Sequence, residues 1–75
     1  MSTFVERAAQ SAFHEAGYAK IDALLWARKV TDFLENHYSQ CVQKYGTDDE
    51  LELARRLAED FIANMRPDER SISTH

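Results

Sequence analysis

His37 and Cys41 are the residues of this 75-residue chain whose types and spacing come closest to metal or nucleophile chemistry. A helix would place both side chains on one face, because they lie four positions apart. Imidazole and thiolate together can bind zinc, but a structural zinc site takes four ligands and a catalytic one usually three. His14 and His75 have no paired ligand nearby. We therefore expect a buried, apolar Cys41, a His37 at the edge of the core, and no metal or cofactor.

Catalysis by the Cys41 thiolate is not expected either. Cys41 lies in the middle of a predicted helix, far from a helix N-terminus that would lower its pKa. His14 and Glu15 match the start of the zinc-protease helix motif, but Tyr18 stands where that motif needs its second histidine. The sequence therefore predicts no catalytic residues, and we expect that the protein is not an enzyme.

Two glycines and one proline, Gly17, Gly46 and Pro67, are the only strong helix breakers in the chain. The segments between them have apolar residues at helical spacing. The sequence therefore predicts an all-α, three-helix domain over residues 1–66, with a disordered polar tail over 67–75. The predicted helices cover residues 3–16, 20–45 and 48–65. The long central helix and the third helix are expected to form a hairpin around Gly46.

Capping boxes mark the starts of the first and third helices. Thr3–Glu6 and Thr47–Glu50 each place a threonine three residues before a glutamate. In this motif the two side chains satisfy free backbone N–H groups of the first turn. At the other end of the first helix, Gly17 fits the left-handed position that follows a helix C-terminus.

The start of the second helix has two interpretations. In one, Asp22 is the N-cap and Ile21 packs on Trp26 as a hydrophobic staple. Tyr18–Ile21 would then be a connector of ordinary length. In the other, the helix is continuous from Ala19 and contacts different partners at its two ends. We favour the first interpretation.

The core is expected where apolar residues repeat on the three helices. The first helix has a seam of alanines, which allows another helix to approach closely. The apolar face of the third helix is wide enough for two neighbours, or for one neighbour and a partner molecule. The expected core residues are Val5, Ala9, Ala12, Trp26, Val30, Phe33, Leu34, Leu57, Phe61 and Ile62.

The net charge of −4 comes from residues 47–60. This stretch has six acidic residues and only two arginines, Arg55 and Arg56. A helix-turn-helix DNA-binding regulator is compatible with the short turn at Gly46. The N-terminus of its recognition helix would, however, present Asp48, Asp49 and Glu52 to the DNA phosphates. Nucleic-acid binding is therefore the alternative function, and not the one we favour.

Location in the cytoplasm is expected from three features. The chain has one cysteine and so cannot form an internal disulfide. It has no apolar run of the roughly 18 residues that a membrane span needs. Its N-terminal residues lack the basic and apolar regions of a signal peptide.

The remaining signal is a set of side chains typical of protein interfaces. Trp26, Tyr38 and Tyr45 share one face of the predicted central helix, and aromatic residues are enriched at interface hot spots. Asp48, Asp49 and Glu52 form an acidic face on the third helix. We therefore expect a small protein–protein interaction module, an adaptor, accessory subunit or inhibitor that acts by covering a surface. A homodimer built on the long helix would support a core of this size.

Overall fold

A computed structural model describes residues 3–66, which form four α-helices. Their bounds are α1 Thr3–Glu15, α2 Lys20–Asn36, α3 Tyr38–Tyr45 and α4 Glu50–Asn64. The all-helical fold class is confirmed. The arrangement in three helices is not, because the predicted central helix over residues 20–45 is divided into α2 and α3. The predicted tail, residues 67–75, lies outside the described residues.

The division falls at His37, whose φ of −131° and ψ of 35° lie outside the helical region. Its N–H still donates to the Phe33 carbonyl, and its own carbonyl accepts from the Cys41 N–H. Asn36 and His37 both have modest helix propensity, although neither breaks a helix by itself. The bend is accompanied by contacts of α3 with α4 and with the turn before α4, where the Tyr38 hydroxyl donates to the Asp48 carbonyl at 3.1 Å. Tertiary packing here overrides a weak local preference for one straight helix.

Gly17 ends α1 as predicted, with a φ of 93°. Its N–H donates to the His14 carbonyl at 3.0 Å, and the Tyr18 N–H donates to the Phe13 carbonyl at 3.1 Å. These two bonds form a Schellman motif. The Phe13 and Tyr18 rings, in edge contact at 5.1 Å, supply the apolar contact that accompanies it.

The favoured start of the second helix at Asp22 is wrong. The helix begins at Lys20, with Ala19 as its N-cap, close to the alternative of a helix continuous from Ala19. Asp22 lies inside the first turn and is buried, and Ile21 is half exposed and therefore no staple. The Schellman motif ends at Tyr18, and only Ala19 separates it from the first residue of α2. There is therefore no room for the longer connector, Tyr18–Ile21, that an N-cap at Asp22 would require.

The predicted start of the last helix is two residues too early. Asp49, and not Thr47, is the N-cap of α4, and its carboxylate accepts from the N–H groups of Leu51 and Glu52. The Thr47 hydroxyl instead accepts from the Asp49 N–H at 3.2 Å. A carboxylate is at least as good a cap as a hydroxyl, so the adjacent aspartate replaces the threonine in this role.

The core lies where α1 packs against α2 and α4. Of the predicted alanine seam, Ala9 and Ala12 are buried, Ala8 is partly buried and Ala16 is exposed. Both neighbouring helices also have buried alanines. Phe13, which was not among the expected core residues, is fully buried. The buried apolar residues are Val5, Ala9, Ala12, Phe13, Tyr18, Ala23, Ala27, Val30, Leu34, Cys41, Leu53, Ala54, Leu57 and Ala58.

Four expected core residues lie further out than predicted. Phe33 is 41% exposed, so its assignment to the core is wrong. Trp26, Phe61 and Ile62 are partly buried and pack against the core from outside. Phe33 lies one turn before the bend at His37, and its ring contacts both the His37 imidazole at 4.5 Å and the Phe61 ring of α4 at 6.0 Å.

Candidate functional site

A groove of about 520 Å³ lies between α2, α3 and α4. Pockets that bind ligands have volumes of roughly 300–1,000 Å³. We call it the aromatic groove, after the rings along its walls. Its lining residues are Trp26, Phe33, Gln40, Cys41, Lys44, Tyr45, Leu57, Asp60, Phe61, Asn64 and Met65.

The apolar wall of the groove is a cluster of rings. The Phe61 ring meets the Trp26 ring edge-on at 6.3 Å and the Phe33 ring edge-on at 6.0 Å. Trp26 also stacks at 6.2 Å on Phe13, which is fully buried. Edge-to-face pairs add stability beyond the area that they bury. The core therefore holds these rings in place while part of their surface stays exposed to solvent.

The Asp60 carboxylate is the centre of a polar cluster on the α3 side of the groove. It accepts a hydrogen bond from the Tyr45 hydroxyl and forms an ion pair with the Lys44 ammonium at 3.2 Å. The hydrogen bond from Tyr45 and the charge of Lys44 hold the pKa of Asp60 below its usual value. Burial, together with the hydrogen bond to Asp60, raises the pKa of Tyr45 well above its usual range. At neutral pH Asp60 is therefore charged, Tyr45 is neutral, and their hydrogen bond is charge-assisted.

Cys41 lies in the groove lining and is 4% exposed, which confirms the expectation that it is buried. Burial raises the pKa of its thiol, so the reactive thiolate is disfavoured. His37 is exposed, and its ring contacts Phe33. Within residues 3–66, no group of three or more histidine, cysteine or acidic side chains is placed to hold a metal ion.

The six residues predicted to contact a partner fall into two groups. Trp26 and Tyr45 line the aromatic groove, whereas Tyr38, Asp48, Asp49 and Glu52 do not. The second group lies around the start of α4, and we call Asp48, Asp49 and Glu52 the acidic end. Two of its members have structural roles: Asp49 caps α4, and the Glu52 carboxylate pairs with Arg56 at 3.2 Å.

Sequence reasoning missed Phe33, Phe61 and Lys44 as site residues. Both phenylalanines were assigned to the core because they lie on apolar helix faces, and periodicity cannot separate a core ring from a groove ring. One signal did point to the groove. The apolar face of the last helix is wider than one neighbouring helix needs.

No protein-family model, no curated protein and no solved structure matches this chain. Within residues 3–66, none of the helices is both long enough and apolar enough to cross a membrane.

Proposed function

We propose that this chain is a non-enzymatic protein–protein interaction module of the cytoplasm that binds a partner protein in the aromatic groove. The observation that carries the proposal is the partial exposure of a fixed ring cluster. Phe33 is 41% exposed, although it contacts Phe61, which also packs against Trp26 and the core. Rings that are held in place and left partly open to solvent match the aromatic anchors of interface hot spots.

The shape of the groove supports a helical partner. Its walls come from α2, α3 and α4, and such grooves typically bind an amphipathic helix whose apolar residues recur every three or four positions. Met65 at one side of the groove adds an adaptable apolar surface. An adaptor, an accessory subunit or an inhibitor would all act in this way, by occupying a surface and without chemistry.

Two other functions were predicted, and both would use the start of α4. The acidic end is the less favoured partner surface, because Asp49 and Glu52 are engaged within the chain. The helix-turn-helix regulator also stays an alternative. In that case the N-cap Asp49 and the first-turn residues Glu50 and Glu52 of α4 would have to approach DNA phosphates. Strong, salt-sensitive retention of the protein on a DNA column would favour the regulator over the interaction module.

The test is capture of a partner from the source cells with a surface variant and a matched control. The variant Phe33→Glu places a charge in the groove. Because Phe33 is already 41% exposed, its loss should lower the free energy of unfolding by only about 1 kcal/mol. The control Asp48→Asn/Glu52→Gln changes the acidic end and leaves the Asp49 cap intact. We expect one protein to be captured by the wild type and by the control, and to be lost with Phe33→Glu.

Two results would contradict the proposal. Capture that survives Phe33→Glu but is lost in the control would assign the partner to the acidic end. Capture of nucleic acid in place of a protein would support the regulator. The thermal unfolding of each variant shows beforehand that it is folded.

Self-association stays a prediction, and sedimentation at micromolar concentration tests it. Trp26 is the only tryptophan of the chain and lies in the groove. A change of its emission with protein concentration would show whether a second copy enters the groove or binds elsewhere.

A further inference from the structure

We infer that the partner helix enters the aromatic groove with a tyrosine or a tryptophan, an aromatic side chain whose ring carries an uncharged hydrogen-bond donor, and that this group donates to Oδ1 of Asp60. The inference rests on the proposed function of the groove and names the class of residue that the partner places in it. Its basis is the set of contacts that the Asp60 carboxylate makes and the one that it leaves open.

Only one of the two carboxylate oxygens of Asp60 is engaged. The Tyr45 hydroxyl donates to Oδ2, and the Lys44 ammonium pairs with the same atom at 3.2 Å. Among residues 3–66, Oδ1 has no hydrogen-bond or ion-pair partner. It is in contact with solvent, since no buried side-chain oxygen or nitrogen of the described residues lacks a partner. All three side chains line the groove, so the free acceptor belongs to its wall.

A partner that fills the groove would take water away from this oxygen. A carboxylate oxygen that is buried without a donor costs its desolvation penalty, which is larger for a charged group than for a neutral one. A group that replaces the hydrogen bond of the water keeps the affinity, whereas an apolar group in the same place loses it. The occupant therefore has to present a donor to Asp60 as well as apolar surface to the rings.

The charges of the groove favour a neutral donor over a cation. Among the described residues that line the groove, Lys44 and Asp60 are the only charged ones, and they pair with each other. An arginine or lysine of the partner would be attracted by Asp60 but repelled by the Lys44 ammonium beside the same carboxylate. A ring N–H or O–H donates without bringing a charge of its own.

An aromatic ring also suits the apolar wall of the groove. Trp26, Phe33 and Phe61 already meet one another edge-on through Phe61, and a further ring in such a contact gains stability beyond the area that it buries. Tyrosine and tryptophan combine this ring with a polar donor, and both are enriched at interface hot spots. Phenylalanine has the ring without the donor, so it supplies the natural comparison.

Two pairs of synthetic helical peptides test the inference by calorimetry. All four share one sequence, with leucines at every third or fourth position, and differ only in a central residue. The first pair has tyrosine or phenylalanine there, and the second has tryptophan or naphthylalanine, which lacks the indole N–H. We expect the member with the donor to bind about tenfold more tightly in at least one pair, the size of one hydrogen bond to a partly shielded carboxylate. The preference should persist at an ionic strength of about 1 M, where the Debye length is about 3 Å, because the donor is uncharged.

Asp60→Asn locates the effect, with Glu59→Gln as the matched control that also removes one negative charge. Asparagine has a single acceptor oxygen, which the Tyr45 hydroxyl can occupy, and an NH₂ group in place of the free oxygen. The preference for the donor should therefore fall below about twofold in Asp60→Asn. Glu59 is an exposed residue of α4 outside the groove lining, so Glu59→Gln should keep the full preference.

Three results would overturn the inference. Equal affinities within both pairs, with all binding lost in Phe33→Glu, would leave the groove as a binding surface and refute the donor. A preference that persists in Asp60→Asn, or that is lost in Glu59→Gln, would refute Asp60 Oδ1 as the acceptor. Binding of none of the four peptides would refute the aromatic anchor, while capture of a partner from the source cells still decides the proposed function.

Discussion

Replacement of Tyr45 by phenylalanine tests the polar cluster beside the groove. The change removes the hydroxyl that donates to the Asp60 carboxylate and keeps the ring that packs against the core. It also keeps the ring beneath the Lys44 ammonium. The variant therefore isolates one charge-assisted hydrogen bond.

The loss of stability expected for Tyr45→Phe follows from the solvent exposure of the Tyr45–Asp60 hydrogen bond. A hydrogen bond to a charged group contributes about 1.5–3 kcal/mol when it is shielded from water. The Asp60 side chain is 40% exposed, so solvent screening reduces this contribution to about 1 kcal/mol. For a domain of this size, about 1 kcal/mol corresponds to a decrease of roughly 4–8 °C in the melting temperature.

The difference in the free energy of unfolding between the wild type and Y45F should also depend on pH. Folding lowers the pKa of Asp60 from its usual 3.8, and the hydrogen bond from Tyr45 is the largest cause. The stabilisation from this lowered pKa is complete above the unfolded value and is lost as the pH falls through the folded value. The stability difference between wild type and Y45F should therefore be constant from about pH 5 to pH 8 and decrease below about pH 4.

At high pH, the ionisation of Tyr45 should also affect stability. Burial and the bond to Asp60 raise its pKa above the usual 10.0, so the unfolded chain loses this proton first. The wild type should therefore lose stability as the pH rises above about 10, and Y45F should lose less.

Urea unfolding followed by circular dichroism, repeated across this pH range, measures both effects. Tyr38→Phe is the control, because the Tyr38 hydroxyl donates to the Asp48 backbone carbonyl, which does not titrate. We expect Tyr38→Phe to change stability by less than about 0.5 kcal/mol at every pH. If Y45F matched the wild type at pH 7, or differed from it by the same amount at pH 3, the assigned role of the Tyr45–Asp60 bond would be wrong.

Two further substitutions test how the helices are formed and packed. Asp49→Ala should lower the free energy of unfolding by about 1 kcal/mol because it removes the α4 cap, whereas Asp49→Asn should lower it by only a few tenths of a kcal/mol. Equal urea midpoints for the wild type and Asp49→Ala would show that the cap contributes nothing. Ala9→Leu should cost about 3 kcal/mol, the upper end of the usual range for overpacking, since Ala9 is completely buried. The same change at exposed Ala63 should stay within about 0.5 kcal/mol. A stable Ala9→Leu protein with an unchanged melting temperature would contradict the close approach of α1.

Local signals in the sequence were sufficient to predict most of the helix ends. Gly17 and Gly46 both have positive φ, as expected for residues that follow a helix. The alanine spacing of α1 correctly placed its buried face. The errors occur where two local signals compete. Thr47 and Asp49 are both good caps, and the aspartate two residues later became the N-cap.

The bend at His37 had no comparable signal, because the segment contains neither glycine nor proline and its helix propensity is only modestly reduced. What accompanies the bend is a set of contacts made by residues distant in sequence. The Tyr38 hydroxyl bonds to the Asp48 carbonyl, and the Tyr45 hydroxyl bonds to the Asp60 carboxylate. Helical periodicity within one segment contains no information about such contacts.

The bend and the aromatic groove have a common origin. One straight helix from Lys20 to Tyr45 would have kept a single axis past α4, with its aromatic residues along one packed face. Because α3 turns at His37 and contacts α4, the space between α2, α3 and α4 is left partly open beside Trp26, Phe33 and Phe61. Each Å² of apolar ring surface that stays exposed loses roughly 25 cal/mol of the hydrophobic stabilisation that burial would give. That loss is substantial for a core this small. A helical partner in the groove would recover that burial, so the departure from a simple three-helix bundle is what creates the proposed binding surface.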